Sequence, residues 1–138
     1  ENGTEQTQNK YFCRNKPELL MAKHNILGKD GEDAAVDYLI AHGYTLHERD
    51  WRVGHMDLDI IVEKDGEIIF VEVKTRATED FGSPEDAVTD KKMRNIINSA
   101  DYYLKLNEID KNVRFDIITL VGTKDNFKIE HIKEAFYP

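Results

Sequence analysis

The sequence has a single cysteine, Cys13, so no intrachain disulfide can form and a cystine-stapled secreted scaffold is excluded. The setting this implies is reducing and cytoplasmic. Long apolar runs are missing as well. The longest, such as Ile68 to Val71, suit strands and fall far short of the ~20 residues that a membrane span needs. The first residues are polar and lack the apolar core of a secretory signal. No internal repeat or low-complexity segment is present. Positive charge is also short: 19 Lys and Arg stand against 27 Asp and Glu, a net charge of −8. That balance argues against a protein held on nucleic acid by bulk charge, although a local basic rim or bound divalent cations could still hold a polyanion. What remains is a globular composition, 40% hydrophobic and 33% charged over 138 residues. This is about one domain on a prior of ~150 residues, long enough to bury a proper core.

Residues 1–20 are rich in Asn, Gln, Glu and Lys and show no sustained period. They read as a flexible N-terminal extension, with Met21 as a plausible translation start. From about Lys29 to Ala41, Ala34, Ala35, Tyr38, Leu39 and Ala41 recur at helical spacing, and Gly43 supplies a C-terminal stop. Tyr44 to Trp51 reads as a short strand. Met56 to Val62 and Glu67 to Thr75 are strong strand runs, joined by Asp65-Gly66, a dipeptide that suits a tight hairpin turn. Phe81-Gly82-Ser83-Pro84 is loop chemistry. Thr89 is a good N-cap for a helix to about Leu106 with Met93, Ile96, Ile97, Ala100, Tyr103 and Leu104 on its apolar stripe. Val113 to Val121 and Lys128 to Ile132 complete the order helix, three strands, helix, two strands. That order predicts an α/β or α+β fold around a mixed sheet flanked by helices.

A two-residue turn at Asp65-Gly66 sets Lys64 against Glu67. The same register carries Asp57 opposite Lys74 and Asp59 opposite Glu72. Side chains alternate along a strand, so these four are expected on one side of the hairpin, with Leu58 and Val73 on the other. Like charges opposed across strands are destabilising, and strand interiors avoid Asp and Glu. Three carboxylates reaching one point would make a hard-oxygen site for Mg²⁺ or Mn²⁺, and Lys74 could hold a nucleophilic water or stabilise charge on a phosphate. The hairpin alone leaves open a solvent-face decoration with a small Asp57–Lys74 pairing, because Glu-x-Lys strings are frequent by chance.

A wider pattern accompanies the hairpin. It comprises Gly31-Glu32, Tyr38-Leu39, Gly43-Tyr44, Trp51-Arg52, Asp57-Leu58, Phe70-Val71-Glu72-Val73-Lys74-Thr75-Arg76, Phe81-Gly82, Ala87-Val88, Lys92 and Arg114-Phe115-Asp116. This combination resembles the YraN family, small bacterial proteins of the restriction-endonuclease-like superfamily similar in core to archaeal Holliday-junction resolvases. The resemblance runs from about Met21 to the C-terminus and implies a single nuclease-like domain over 21–138 with a PD-(D/E)xK core. Carried over, it makes Asp57 and Glu72 metal ligands, with the Val73 main-chain carbonyl as a further candidate and Asp59 able to share that role. Lys74 would position the attacking water, and Glu32 would be the outlying acidic member. The implied reaction is Mg²⁺- or Mn²⁺-dependent hydrolysis of DNA phosphodiesters, with structured or branched DNA as a candidate substrate. The alternative is a non-catalytic nucleic-acid-binding module on the same fold. Expected partners are DNA and no membrane, with a homodimer as a candidate assembly. One departure stands out. Where the family commonly reads Gly-Glu-x-Asp-Leu-Ile, this chain has Gly54-His55-Met56-Asp57-Leu58-Asp59.

Other residues have ordinary readings. Glu32 at a helix start suits the dipole. His24, His42, His47, His55 and His131 lack ligand spacing and read as surface or turn residues, with His55 near enough to Asp57 to touch a phosphate. Trp51 and Phe70 read as core, and Asp116 as a partner of Arg114 at the sheet edge. Lys91, Lys92 and Arg94, extended by Arg76, form the best local basic patch, either a solvated face or a phosphate-tracking rim. No element reads as a base-edge reader, so sequence specificity is not expected.

Overall fold

The computed structural model describes residues 17–78 and 88–138, the side chains of 17–24 excepted. Two helices and five strands follow the expected order: α1 (Pro17–Ala41), β1 (Thr45–Val53), β2 (Met56–Lys64), β3 (Glu67–Arg76), α2 (Asp90–Leu106), β4 (Asn112–Val121) and β5 (Lys128–Phe136). The loop read at Phe81–Pro84 and most of the N-terminal extension lie outside the described residues. The last four residues of that supposed extension, however, belong to α1, which opens at Pro17. A proline costs nothing at a first helical position, where its missing N–H would go unpaired anyway. α1 closes as expected: Gly43 takes φ 88° and the Tyr44 N–H reaches back 3.0 Å to the Leu39 carbonyl.

The sheet order is β1-β2-β3-β4-β5. β3 lies at its centre, antiparallel to β2 and parallel to β4, while β5 returns antiparallel along β4. Asp65 and Gly66 both adopt positive φ, 52° and 78°, the turn the dipeptide demands, and the ladder from Lys64↔Glu67 to Ile60↔Val71 keeps the expected register. Each face of the sheet carries one apolar layer. Leu58, Ile61, Ile68, Phe70, Phe115 and Ile117 pack under α2 with Ile96, Ala100 and Tyr103. Ile60, Val62, Ile69, Val71, Ile118 and Leu120 pack under α1 with Ala35, Val36 and Leu39. Both faces of β3 are thereby covered, which is why its middle reads as an unbroken apolar run. Phe70 is core as expected, and Trp51 packs against the same layer, edge-on to Tyr103.

Alternation fails at one place. Leu58 and Ile60, two residues apart, pack on opposite sides of the sheet, so Leu58 lies on the α2 side while Val73 lies on the α1 side. The expectation that these two share a back face is therefore corrected. Opposite this stretch, Asp50 on β1 has φ 51°, an irregularity that re-aims neighbouring side chains. Asp59 answers it by accepting the Val73 N–H at 2.9 Å, so that a carboxylate stands in where a strand carbonyl would otherwise pair.

Asp116 is not at an edge, since β4 runs between β3 and β5. It does pair with Arg114, Nε to Oδ1 and Nη2 to Oδ2 both at 2.9 Å, and is itself wholly buried. It also accepts from the Glu134 N–H across an irregularity in β5 and contacts His131 Nε2 at 2.7 Å. His131 is thus no surface residue: its side chain is 4% exposed, and its other ring nitrogen meets the Tyr38 hydroxyl at 3.1 Å. The sequence could not show this, because β5 comes to lie beside Asp116 of β4 only through tertiary pairing.

Candidate functional site

The β2–β3 ladder ends at Ile60↔Val71, and the next residues of both strands carry the charged groups. Glu72 is buried at 5% exposure, although it lies only one residue beyond the core. Burial, then the negative charge of Asp59, push its carboxyl up to about 8, against the opposing pull of Lys92 and Lys74. Lys74 Nζ stands 4.0 Å from Glu72 Oε2. Asp57, more open, has Lys92 Nζ 3.5 Å from its Oδ1, and the same ammonium is 4.0 Å from Glu72 Oε2. Burial alone would lower the Lys92 ammonium, but Glu72, Asp57 and Asp59 together outweigh it and raise it.

Lys92 does not share the open face of its neighbours. Lys91 and Arg94 are exposed as expected on the first turns of α2, whereas Lys92 turns inward between two carboxylates. The signal was present in the sequence. Counting back four from Ile96 along the buried line Ile96, Ser99, Tyr103 arrives at Lys92. The Thr89 cap fixes this turn, its hydroxyl accepting the Lys92 N–H at 3.1 Å. Arg76 ends β3, two residues past Lys74.

Glu32 lies in the interior of α1 and not at its start, because the helix begins fifteen residues earlier at Pro17. Capping does not explain it. Arg49 on β1 does: its guanidinium donates to Glu32 Oε1 from Nε at 3.1 Å and Nη2 at 2.9 Å, and to Asp33 Oδ1 at 2.6 Å. This holds Glu32 over a cleft of about 320 Å³ lined also by Leu27, Gly28, Asp59, Val73, Lys74 and Thr75. Spacing in the sequence gives no hint of Arg49, since the pair joins a helix to a strand. His55 is exposed in the β1–β2 turn.

The oxygen donors are those of a hard divalent cation. The expected convergence of three carboxylates on one point is not met. Among the described residues no group of three or more His, Cys, Asp and Glu is arranged to hold a metal ion, and Asp59 has one oxygen committed to the Val73 N–H. Asp57 and Glu72 do flank one cationic position, where Lys92 now lies. Two carboxylates suffice to anchor Mg²⁺ when water and a substrate phosphate complete its shell. The residues present thus fit a two-carboxylate site.

A five-stranded mixed sheet between two helices, in the order α-β-β-β-α-β-β, is the architecture of the restriction-endonuclease-like class of α/β fold. Within that class, the chain belongs to the Uncharacterised protein family UPF0102, whose profile matches residues 31–120. It is 61% identical over 118 residues to a UPF0102 protein of Bacteroides fragilis, covering 86% of this chain and 98% of the relative. It is 55% identical over the same coverage to one from Bacteroides thetaiotaomicron. To one from Flavobacterium psychrophilum it is 43% identical over 117 residues, 85% of this chain and 98% of the relative. The YraN-like resemblance of the motifs is this family. No helix among the described residues is long and apolar enough to cross a membrane.

Proposed function

We propose that this protein is a divalent-cation-dependent nuclease that hydrolyses DNA phosphodiester bonds, with structured or branched DNA as the substrate class to test first. The observation that carries the reading is the burial of Glu72 beside Asp59, Lys74 and Lys92 at the end of a core strand. Burial and the charge of Asp59 push the Glu72 carboxyl up to about 8, a cost to folding at neutral pH, and such groups cluster at functional sites. Asp57 and Glu72, with the Val73 carbonyl and Asp59 as further candidates, would hold Mg²⁺ or Mn²⁺. When bound, the cation supplies Lewis acidity toward the scissile phosphate and acidifies a water. Lys74 Nζ, half-buried beside Glu72, would donate to the attacking water and hold it in line with phosphorus. Glu32, fixed by Arg49 on the far wall of the cleft, would orient a second water or the leaving group. Lys91, Arg94 and Arg76 would hold flanking phosphates, giving an acidic chain a local grip on a polyanion.

A second reading, a nucleic-acid-binding module whose site is idle, is favoured by the net charge of −8 and by the ammonium already seated between the two carboxylates. Cleavage of linear, single-stranded and four-way-junction DNA with Mg²⁺ or Mn²⁺ separates the two. The nuclease reading expects cutting that Glu72→Ala and Lys74→Ala each reduce by about a hundredfold or more, the usual scale for one positioned catalytic group. Binding of wild type to DNA with no cutting of any substrate decides for the second.

A further inference from the structure

Resting on the proposed reading of the same site, we infer that Lys92 is a built-in counter-ion, its ammonium taking the place between Asp57 and Glu72 that the divalent cation takes on binding. Three features carry this. Lys92 Nζ lies 3.5 Å from Asp57 Oδ1 and 4.0 Å from Glu72 Oε2, which is bridging distance to both acids. These separations exceed a direct hydrogen-bond length of about 2.7–3.2 Å, so the ammonium is shared between the acids and locked to neither. The residue comes from α2, whereas both acids come from β2 and β3, so it can leave without disturbing either strand.

Charge accounts for the rest. Without a cation, Lys92 stands beside both Asp57 and Glu72, and Lys74 beside Glu72. An ammonium and a divalent cation cannot share one position, so cation binding turns Lys92 out on its flexible four-carbon stem. Lys91 and Arg94 are exposed on the same turns of α2. A displaced Lys92 adds to the positive charge offered there to a phosphate, so cation and nucleic acid favour each other's binding, reciprocally. Lys92 is on this account a positioning residue.

The test is Mn²⁺ affinity, measured calorimetrically on wild type and on Lys92→Met, Lys92→Arg and Lys74→Met, with melting temperatures with and without Mn²⁺. Lys92→Met should bind Mn²⁺ about tenfold more tightly, within the usual range of coupled equilibria. It should also melt lower than wild type without the ion and gain more from it. Lys92→Arg, which keeps the charge, should bind like wild type. Lys74→Met should gain less than Lys92→Met, because Lys74 approaches Glu72 alone. Should Lys92→Met prove unfolded without the ion, Lys92→Gln is measured in its place under the same criteria. Unchanged or weaker binding in the neutral variant overturns the inference and leaves the metal site standing, as does an equal gain in Lys74→Met. Failure of both wild type and neutral variant to bind Mn²⁺ at millimolar concentration overturns the proposed site itself, and the inference with it.

Discussion

Gly31 lies so close to Thr75 that a Cβ added at residue 31 would overlap the Thr75 side chain. The contact seats α1 directly on the end of β3, one residue from Lys74, and so fixes how near Glu32 comes to the cleft floor. Replacing glycine by alanine inside a helix normally stabilises by about 0.5–1 kcal/mol. Here overpacking, at about 1–3 kcal/mol, outweighs that gain. Gly31→Ala should therefore lower the free energy of unfolding in urea, and Thr75→Ala in the same chain should recover part of the loss. A more stable Gly31→Ala would show that the helix does not rest on this strand.

Glu72→Gln should stabilise the metal-free protein, and increasingly so as pH rises. The folded carboxyl keeps its proton up to about pH 8, whereas an unfolded glutamate releases it near ~4.3. Between those values the native state binds more protons than the unfolded one, so wild-type stability falls with pH. The glutamine has nothing to release. The gap between variant and wild type should widen from pH 5 to pH 8 in denaturation series, and a gap constant over that range refutes the burial argument.

Asp116→Asn should be costly and in the opposite pH sense. The carboxylate suffers burial, yet His131, Arg114 and the Glu134 N–H more than compensate, holding it below the usual range. That contribution is fully present above the unfolded value of ~3.9 and is lost as pH falls through the folded one. Breaking the Arg114 pair, with Glu67 and the Tyr44 hydroxyl as the remaining partners of the guanidinium, should cost about 1–3 kcal/mol at neutral pH. The difference should shrink as pH falls through the lowered folded value and wild type loses the same charge. Equal stability of the two chains at pH 7 would contradict a clasp between β4 and β5.

Ser99 on α2 is fully buried, and its hydroxyl has no hydrogen-bond partner among the described residues. Ser99→Ala removes a desolvated group and improves helix propensity, so it should raise stability by about 0.5–1.5 kcal/mol. A loss on thermal melting would reveal a partner for that hydroxyl.

The hairpin was the most legible part of the chain, because a two-residue Asp-Gly turn dictates its register and apolar runs mark both strands. The stripe of α2 and the Gly43 stop of α1 follow from local rules in the same way. The start of α1 was missed, because no sustained apolar period marks its first residues in the sequence. Alternation alone misplaced Leu58, since an irregular stretch in β1 and β2 is invisible to a period of two. Glu32 was found only through family resemblance, and for its partner Arg49 no local pattern exists.

By itself the amino-acid order determined the number and order of the helices and strands, how β2 meets β3, and that Asp57, Glu72 and Lys74 come to one end of a core hairpin. These are matters of steric turns and short-range periodicity. Only the tertiary structure decided that Lys92 enters between the acids, that Asp59 serves the backbone of Val73, and that His131 is walled in beside Asp116. Each depends on elements distant in sequence being brought together by burial of apolar faces; the stripe of α2 shows that Lys92 turns inward, but not which acids it meets there.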